Sequence, residues 1–178
     1  MERWFHAFVM YIKKGYTMKQ KKSLTLALLL LIFTLLSACS KKGEPIEYTT
    51  VSDNTVSWGC DADTVSDALK QDADSTETKD DCTEYVYEKC VLGDYTGKMT
   101  YYFAADQLTL SRWEYSVKDV EGAQKAYDTL KKQLETENGE GTENDTSDIC
   151  QWQGKDKNIT LGYEATNDGG QVYLIEYQ

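Results

Sequence analysis

A stripe of apolar residues at helical spacing stands between two sets of strand-like runs, and that order constrains the fold most. Val120, Ala123, Tyr127, Leu130 and Leu134 recur at intervals of three and four from residue 119 to about 137, the period of a helix with one buried face. Gly139 and Gly141 end it. Before it lie the runs 84–92, 98–104 and 107–116; after it lie 148–153, 158–164 and 171–177. They are rich in Tyr, Val, Phe and Trp, with turn signals at Gly93-Asp94, Ala105-Asp106 and Asn167-Asp168-Gly169-Gly170. A shorter helix is expected after Trp58-Gly59-Cys60, where Asp61 or Asp63 can accept the first free N–H groups and Val65, Ala68 and Leu69 form a small stripe. The order α-β-β-β, α-β-β-β predicts an α+β domain. Its antiparallel sheet has about six strands in two such units, with two helices packed on one face.

The N-terminal part obeys different rules. Lys19, Lys21 and Lys22 precede an apolar run from Leu24 to Leu36, a helix of roughly 20 Å against a bilayer core of about 30 Å. A basic head, a short apolar middle and small residues after it describe an export signal rather than a permanent span. The run ends on Leu36-Ser37-Ala38-Cys39, which resembles the lipobox of bacterial lipoproteins. The resemblance implies that Cys39 receives a diacylglyceryl group and becomes the N-terminus after cleavage. Such a leader is complete from Met18. Lys13-Lys14-Gly15 would be encoded by A/G-rich codons resembling a ribosome-binding site, so residues 1–17 are expected to be a mis-annotated extension. The expected organisation is a signal peptide over 18–38, a lipidated polar tether over 39–55 and a single extracytoplasmic domain over 56–178.

Charge and residue content exclude several function classes. The whole chain carries a net charge of −11. From Cys39 onward 13 Lys and Arg face 29 Asp and Glu, a net charge of about −16. Such a chain repels phosphate backbones, so no nucleic acid is expected among its partners. Attachment to the bilayer must come through acyl chains on Cys39, at about 0.8 kcal/mol per buried methylene. The single histidine, His6, precedes the cleavage site. The mature chain therefore lacks Ser-His and Cys-His pairs and imidazole metal sites. One arginine, Arg112, remains after the leader. The acidic stretch from Asp61 to Asp81 has no EF-hand arrangement of ligands, central Gly and closing Glu, so neither metal nor cofactor is expected. No two carboxylates are singled out for hydrolysis, and the protein is not expected to be an enzyme.

Four cysteines remain beside Cys39: Cys60, Cys82, Cys90 and Cys150. An even number in an exported chain suggests two disulfides, with three pairings open. Cys82–Cys90 is disfavoured because the residues between them read as strand, which would hold the two too far apart. Cys60–Cys82 with Cys90–Cys150 is preferred.

Trp58-Gly59 before a short helix, the Tyr101-Tyr102-Phe103 strand answered by Leu108, and the helix carrying Tyr127, Leu130 and Leu134 together resemble small bacterial lipoprotein domains of beta-lactamase-inhibitor-like or outer-membrane-assembly-lipoprotein-like fold. That resemblance implies protein binding and transfers no functional residue. Tyr85, Tyr87, Tyr101, Tyr102, Tyr115, Tyr163 and Tyr173, with Tyr177, fall on the strand-like runs. The first seven are candidate binding residues, although Tyr101 and Tyr102 point to opposite faces and cannot both be core. With helices on one face, tyrosines on the other offer rigid, amphipathic contact area. The expected role is a membrane-anchored, non-catalytic interaction module for an envelope or extracellular protein. The alternative is a lipoprotein that binds a small molecule or peptide in an aromatic pocket.

Overall fold

The structure, a computed structural model, describes residues 43–51, 56–144 and 147–178; the expected leader and Cys39 lie outside the described residues. The described residues form one compact unit. The elements follow as β1 (Ile46–Glu47), α1 (Ala62–Leu69), β2 (Ser75–Lys79), β3 (Cys82–Leu92), β4 (Tyr95–Ala104), β5 (Gln107–Val117), α2 (Val120–Asn138), β6 (Thr142–Asn144), β7 (Ser147–Gln153), β8 (Asn158–Thr166) and β9 (Gly169–Tyr177). The fold is α+β. Its sheet runs β1-β3-β4-β5-β9-β8-β7-β6, with β2 beside the first half of β3. Two three-strand meanders, β3–β5 and β7–β9, are joined where the last strand of each pairs antiparallel with the other, Leu110 opposite Tyr177 and Val117 opposite Gly170.

The sheet has nine strands rather than about six. The missed strands carry no hydrophobic alternation to reveal them. All five residues of β2, Ser-Thr-Glu-Thr-Lys, are exposed, as are all three of β6. The acidic, polar stretch 71–83, which reads from sequence as a loop, therefore contains a strand. β1 is two residues long, and its pairing with Cys90 and Val91 is the parallel exception in an otherwise antiparallel sheet.

Register explains the core. Tyr87, Met99, Trp113, Leu174, Leu161 and Cys150 are successive partners across β3, β4, β5, β9, β8 and β7. None of them is more than 1% exposed. Facing side chains on neighbouring strands lie on one side of a sheet, so this row is the spine of the buried side. Gly97 makes room for it: a Cβ there would come within 2.7 Å of the Trp113 indole, whose Nε1–H donates to the Cys90 carbonyl at 3.0 Å.

α2 begins at Asp119, whose carboxylate accepts the Gly122 N–H at 2.6 Å, and ends at Gly139 with φ of 84°. It buries Ala123, Ala126, Tyr127, Leu130 and Leu134. Val120, expected in that stripe, is instead 43% exposed. Tyr127 meets Tyr163 at 5.2 Å between ring centroids, and Ala123 sits against Gly170. α1 is capped by Asp61 through the Thr64 N–H and hydroxyl and buries Val65; its Ser66 hydroxyl meets the Tyr87 hydroxyl at 3.3 Å.

Part of the expected tether belongs to the sheet: β1 lies ten residues before the expected start at Val56. The expected tether is a strap over the sheet as far as it is described. Ile46 and Val51 are buried, and the Tyr48 N–H donates to the Val91 carbonyl at 2.8 Å. Glu176, 2% exposed, holds the strap's far end: it accepts the Thr50 hydroxyl at 2.6 Å and the Val51 N–H at 2.8 Å, and pairs with Lys157 at 2.8 Å. A buried carboxylate with that many donors is satisfied rather than reactive. The strap's polarity and lone proline read as linker, while its few apolar side chains are too sparse to show a period.

Candidate functional site

The pleat sorts the candidate tyrosines. Tyr87 and Tyr101 are fully buried on the spine side and edge-on to each other at 5.9 Å. Tyr85 packs against Phe103 at 5.1 Å, Tyr115 lies along Trp113, and Tyr163 is against Tyr127 of α2. These five serve the covered side and are not free to bind a partner on the other. Burial pushes the Tyr101 hydroxyl well above its ordinary pKa and also raises Tyr87. Tyr102 and Tyr173 point the other way.

The opposite side is read from the same ladders. Glu84, Tyr102, Leu110, Tyr177 and Asn158 form one row, and Val86, Thr100, Arg112, Ile175 and Thr160 form the next. Lys98, Glu114, Tyr173 and Gly162 form a third. Tyr102, Leu110 and Ile175 are half-buried by their neighbours, and Tyr177 is 37% exposed. Tyr173 lies across Gly162, where a Cβ would come within 2.5 Å of the ring. The Arg112 guanidinium stands 5.5 Å from the Tyr173 ring centre, a cation–π distance. Arg112 Nη2 reaches Glu114 at 2.9 Å, Lys98 reaches the same carboxylate at 2.9 Å, and the Gln171 amide donates to it at 2.7 Å.

A search for tyrosines passes over Leu110, Arg112 and Ile175, and Tyr177, though placed on its strand, was not among the seven candidates. The signal was present in the alternation. Once Trp113 is placed in the core, Arg112 and Glu114 must lie opposite, and antiparallel pairing carries Ile175 and Tyr173 to the same side.

The cysteine pairings are corrected. Cys60, Cys82, Cys90 and Cys150 are all free thiols. Cys90 on β3 and Cys150 on β7 are separated by β4, β5, β9 and β8, about 24 Å of sheet at the usual strand spacing, against about 5.5 Å between bridged Cα atoms. Cys82 neighbours Thr83, which shares the buried-side row of Phe103, so its side chain points to the opposite side. The Cys60 carbonyl instead pairs with the Leu108 N–H. Burial pushes the Cys90 thiol up to about 12, with the Glu47 charge adding to it, and burial also raises Cys60 and Cys150. Cys90 and Cys150 are buried, and burial favours the protonated thiol over the thiolate.

A cavity of about 410 Å³ opens between the strap and α2, with Leu130, Leu134, Leu174 and Glu176 among its walls and Tyr48 its one aromatic. Among the described residues no group of His, Cys, Asp or Glu could hold a metal ion, and no helix is long and apolar enough to cross a membrane. Comparison with protein-family models, with curated proteins and with solved structures finds no match.

Proposed function

We propose that this protein is an exported bacterial lipoprotein, anchored through acyl chains on Cys39, whose domain binds an envelope or extracellular protein and carries out no catalysis of its own. The anchor rests on the basic head, the short apolar run and Leu36-Ser37-Ala38-Cys39. Both helices and the strap lie on one side of the sheet in this reading. The observation that carries it is the other side, where Tyr102, Leu110 and Tyr177 stand in one row beside Ile175 and Arg112. Aromatic, aliphatic and Arg side chains concentrated on one sheet face match the composition of interface centres, where a few residues supply most of the binding energy. Among the described residues the cavity beside Glu176 has a single aromatic in its walls, Tyr48, whereas a small-molecule carrier of the expected kind would use several.

The anchor and the face are tested separately. Cys39→Ser should move the protein out of the membrane fraction while its melting temperature stays unchanged. Retention after a salt wash would end the lipoprotein reading. A benzophenone amino acid at Tyr177 should give a discrete protein adduct in the native envelope, whereas the same probe at Thr129, on the exposed side of α2, should not. An adduct from Thr129 alone would place binding on the helix side.

A further inference from the structure

We infer that Arg112 reads an acidic side chain of the partner protein, an Asp or Glu flanked by apolar residues. This inference rests on the sheet face being the docking surface and specifies what that surface selects. Three observations converge on it. The chain carries a net charge of −11, yet at the centre of this face two cations, Arg112 and Lys98, share one carboxylate, Glu114. Glu114 is already well supplied: it accepts from Arg112, Lys98 and the Gln171 amide, and its side chain is 13% exposed. The cations are more open, at 33% for the Arg112 side chain and 43% for Lys98. A guanidinium has five N–H donors, and the Glu114 contact is made by one of its nitrogens, Nη2. Donor capacity is therefore left over where apolar groups surround it, and within this trio the cations exceed the carboxylate by one unit.

The guanidinium is also held in place. Tyr173 lies over Gly162 and Arg112 stands over Tyr173, so ring and cation are stacked before any partner arrives. Preorganisation removes much of the rotamer cost of binding, and a partly desolvated cation attracts an anion more strongly than one in open water. The surroundings set the partner's chemistry. Tyr102, Leu110, Ile175 and Tyr177 favour apolar groups on either side of the carboxylate. Glu84, in the Tyr102 row, and Glu164, beside Tyr173, carry negative charge at the flanks and disfavour a polyacidic strip or a doubly charged phosphate. A chain-terminal carboxylate is captured by a concave nest of backbone N–H groups, whereas in a continuous sheet these are engaged in the ladders.

The test uses the ¹⁵N-labelled full chain in detergent. 4-Phenylbutyrate serves as a carboxylate on an apolar body, with 4-phenylbutanol and 4-phenylbutylamine as neutral and cationic controls. The carboxylate should shift the Arg112 Nε–H signal and the amides of residues 110–112 and 173–175 in a saturable way. The alcohol and amine should not. Arg112→Gln should weaken the response about tenfold or more, the scale of one lost charge-assisted contact. Arg112→Lys, which keeps the charge but not the fork, should fall between and guards against misfolding of the first variant. No shift at these residues, or an equal shift with Arg112→Gln, would overturn the inference. The adduct formed through a probe at Tyr177 separates the two levels. If it forms equally well in Arg112→Gln, docking on the face stands and carboxylate recognition fails. If it is absent with Arg112 intact, the docking reading itself fails.

Discussion

The two meanders of the sheet solve the same problem with unequal means. In the second half, α2 spans 19 residues, is capped by Asp119 and Gly139, and buries five side chains against the sheet. In the first half, α1 spans eight residues, buries Val65 alone, and ends on Lys70, held at φ of 55° where glycine is the comfortable residue. One turn of apolar stripe cannot cover Tyr87, Met99 and Tyr101. The strap supplies the rest, with Ile46, Val51 and Val56 buried and Glu176 as its fastening on the last strand. A half with a weak helix recruits sequence from upstream, and a boundary placed by composition alone cuts through that loan.

The largest expected effect comes from cutting there. A chain beginning at Val56 should be far less stable than one beginning at Gly43. It loses the burial of Ile46 and Val51, roughly 1.5–3 kcal/mol each, and strips two donors from a buried carboxylate. Against a total of about 5–15 kcal/mol for a domain, that is enough to unfold much of the population at 37 °C. Urea midpoints of the two chains decide the matter; equal midpoints would show that the strap lies on the sheet without supporting it.

The helices themselves give the next contrast. Leu130→Ala should cost roughly 2–5 kcal/mol, because Leu130 is 2% exposed at the centre of the α2 stripe. Val65→Ala, the matching change in α1, removes two methyl-sized groups and should cost about 2 kcal/mol. If Val65→Ala proves as damaging as Leu130→Ala, α1 carries more of the first half than its single buried residue suggests.

The asymmetry also explains what the sequence made legible. The six long strands and both helices follow from period and turn chemistry, because each buries one face of a regular element, while the cap of α1 stays open in the sequence between Asp61 and Asp63. β1, β2 and β6 do not follow, since two are wholly exposed and the third is two residues long. The face opposite the core was half legible. Alternation separates Tyr101 from Tyr102, but tyrosine is amphipathic enough to serve either side, and five of the seven candidates went to the covered one. Arg112 and Glu114 were the sharper markers, being charges forced outward by Trp113 between them. The cysteine pairing was not legible at all, because it depends on strand order, and the joining of β5 to β9 sends Cys90 and Cys150 toward opposite ends of the sheet.

The response to alkali is the smallest effect per step, and the one that best separates the halves. Cys90, in the first half, has its thiol pushed from an ordinary 9.0 to about 12, first by burial and then by Glu47. In the second half, burial also raises Cys150, but the Lys131 amine opposes the rise. A group whose pKa is raised by folding contributes its full stability below the unfolded value and loses it as pH climbs towards the folded value. Between about pH 9 and 12 the unfolded chain therefore releases the Cys90 proton while the folded chain keeps it. Stability should fall by about 1.4 kcal/mol per pH unit from this group alone. Tyr48 and Tyr101, both raised chiefly by burial, steepen the fall above pH 10. Cys90→Ala should flatten the decline of the urea midpoint with pH over that window, and Cys150→Ala should flatten it less. Equal slopes in the two variants would mean that the thiols of both halves are shielded alike, and that the first half is sealed by its strap as tightly as the second is by its helix.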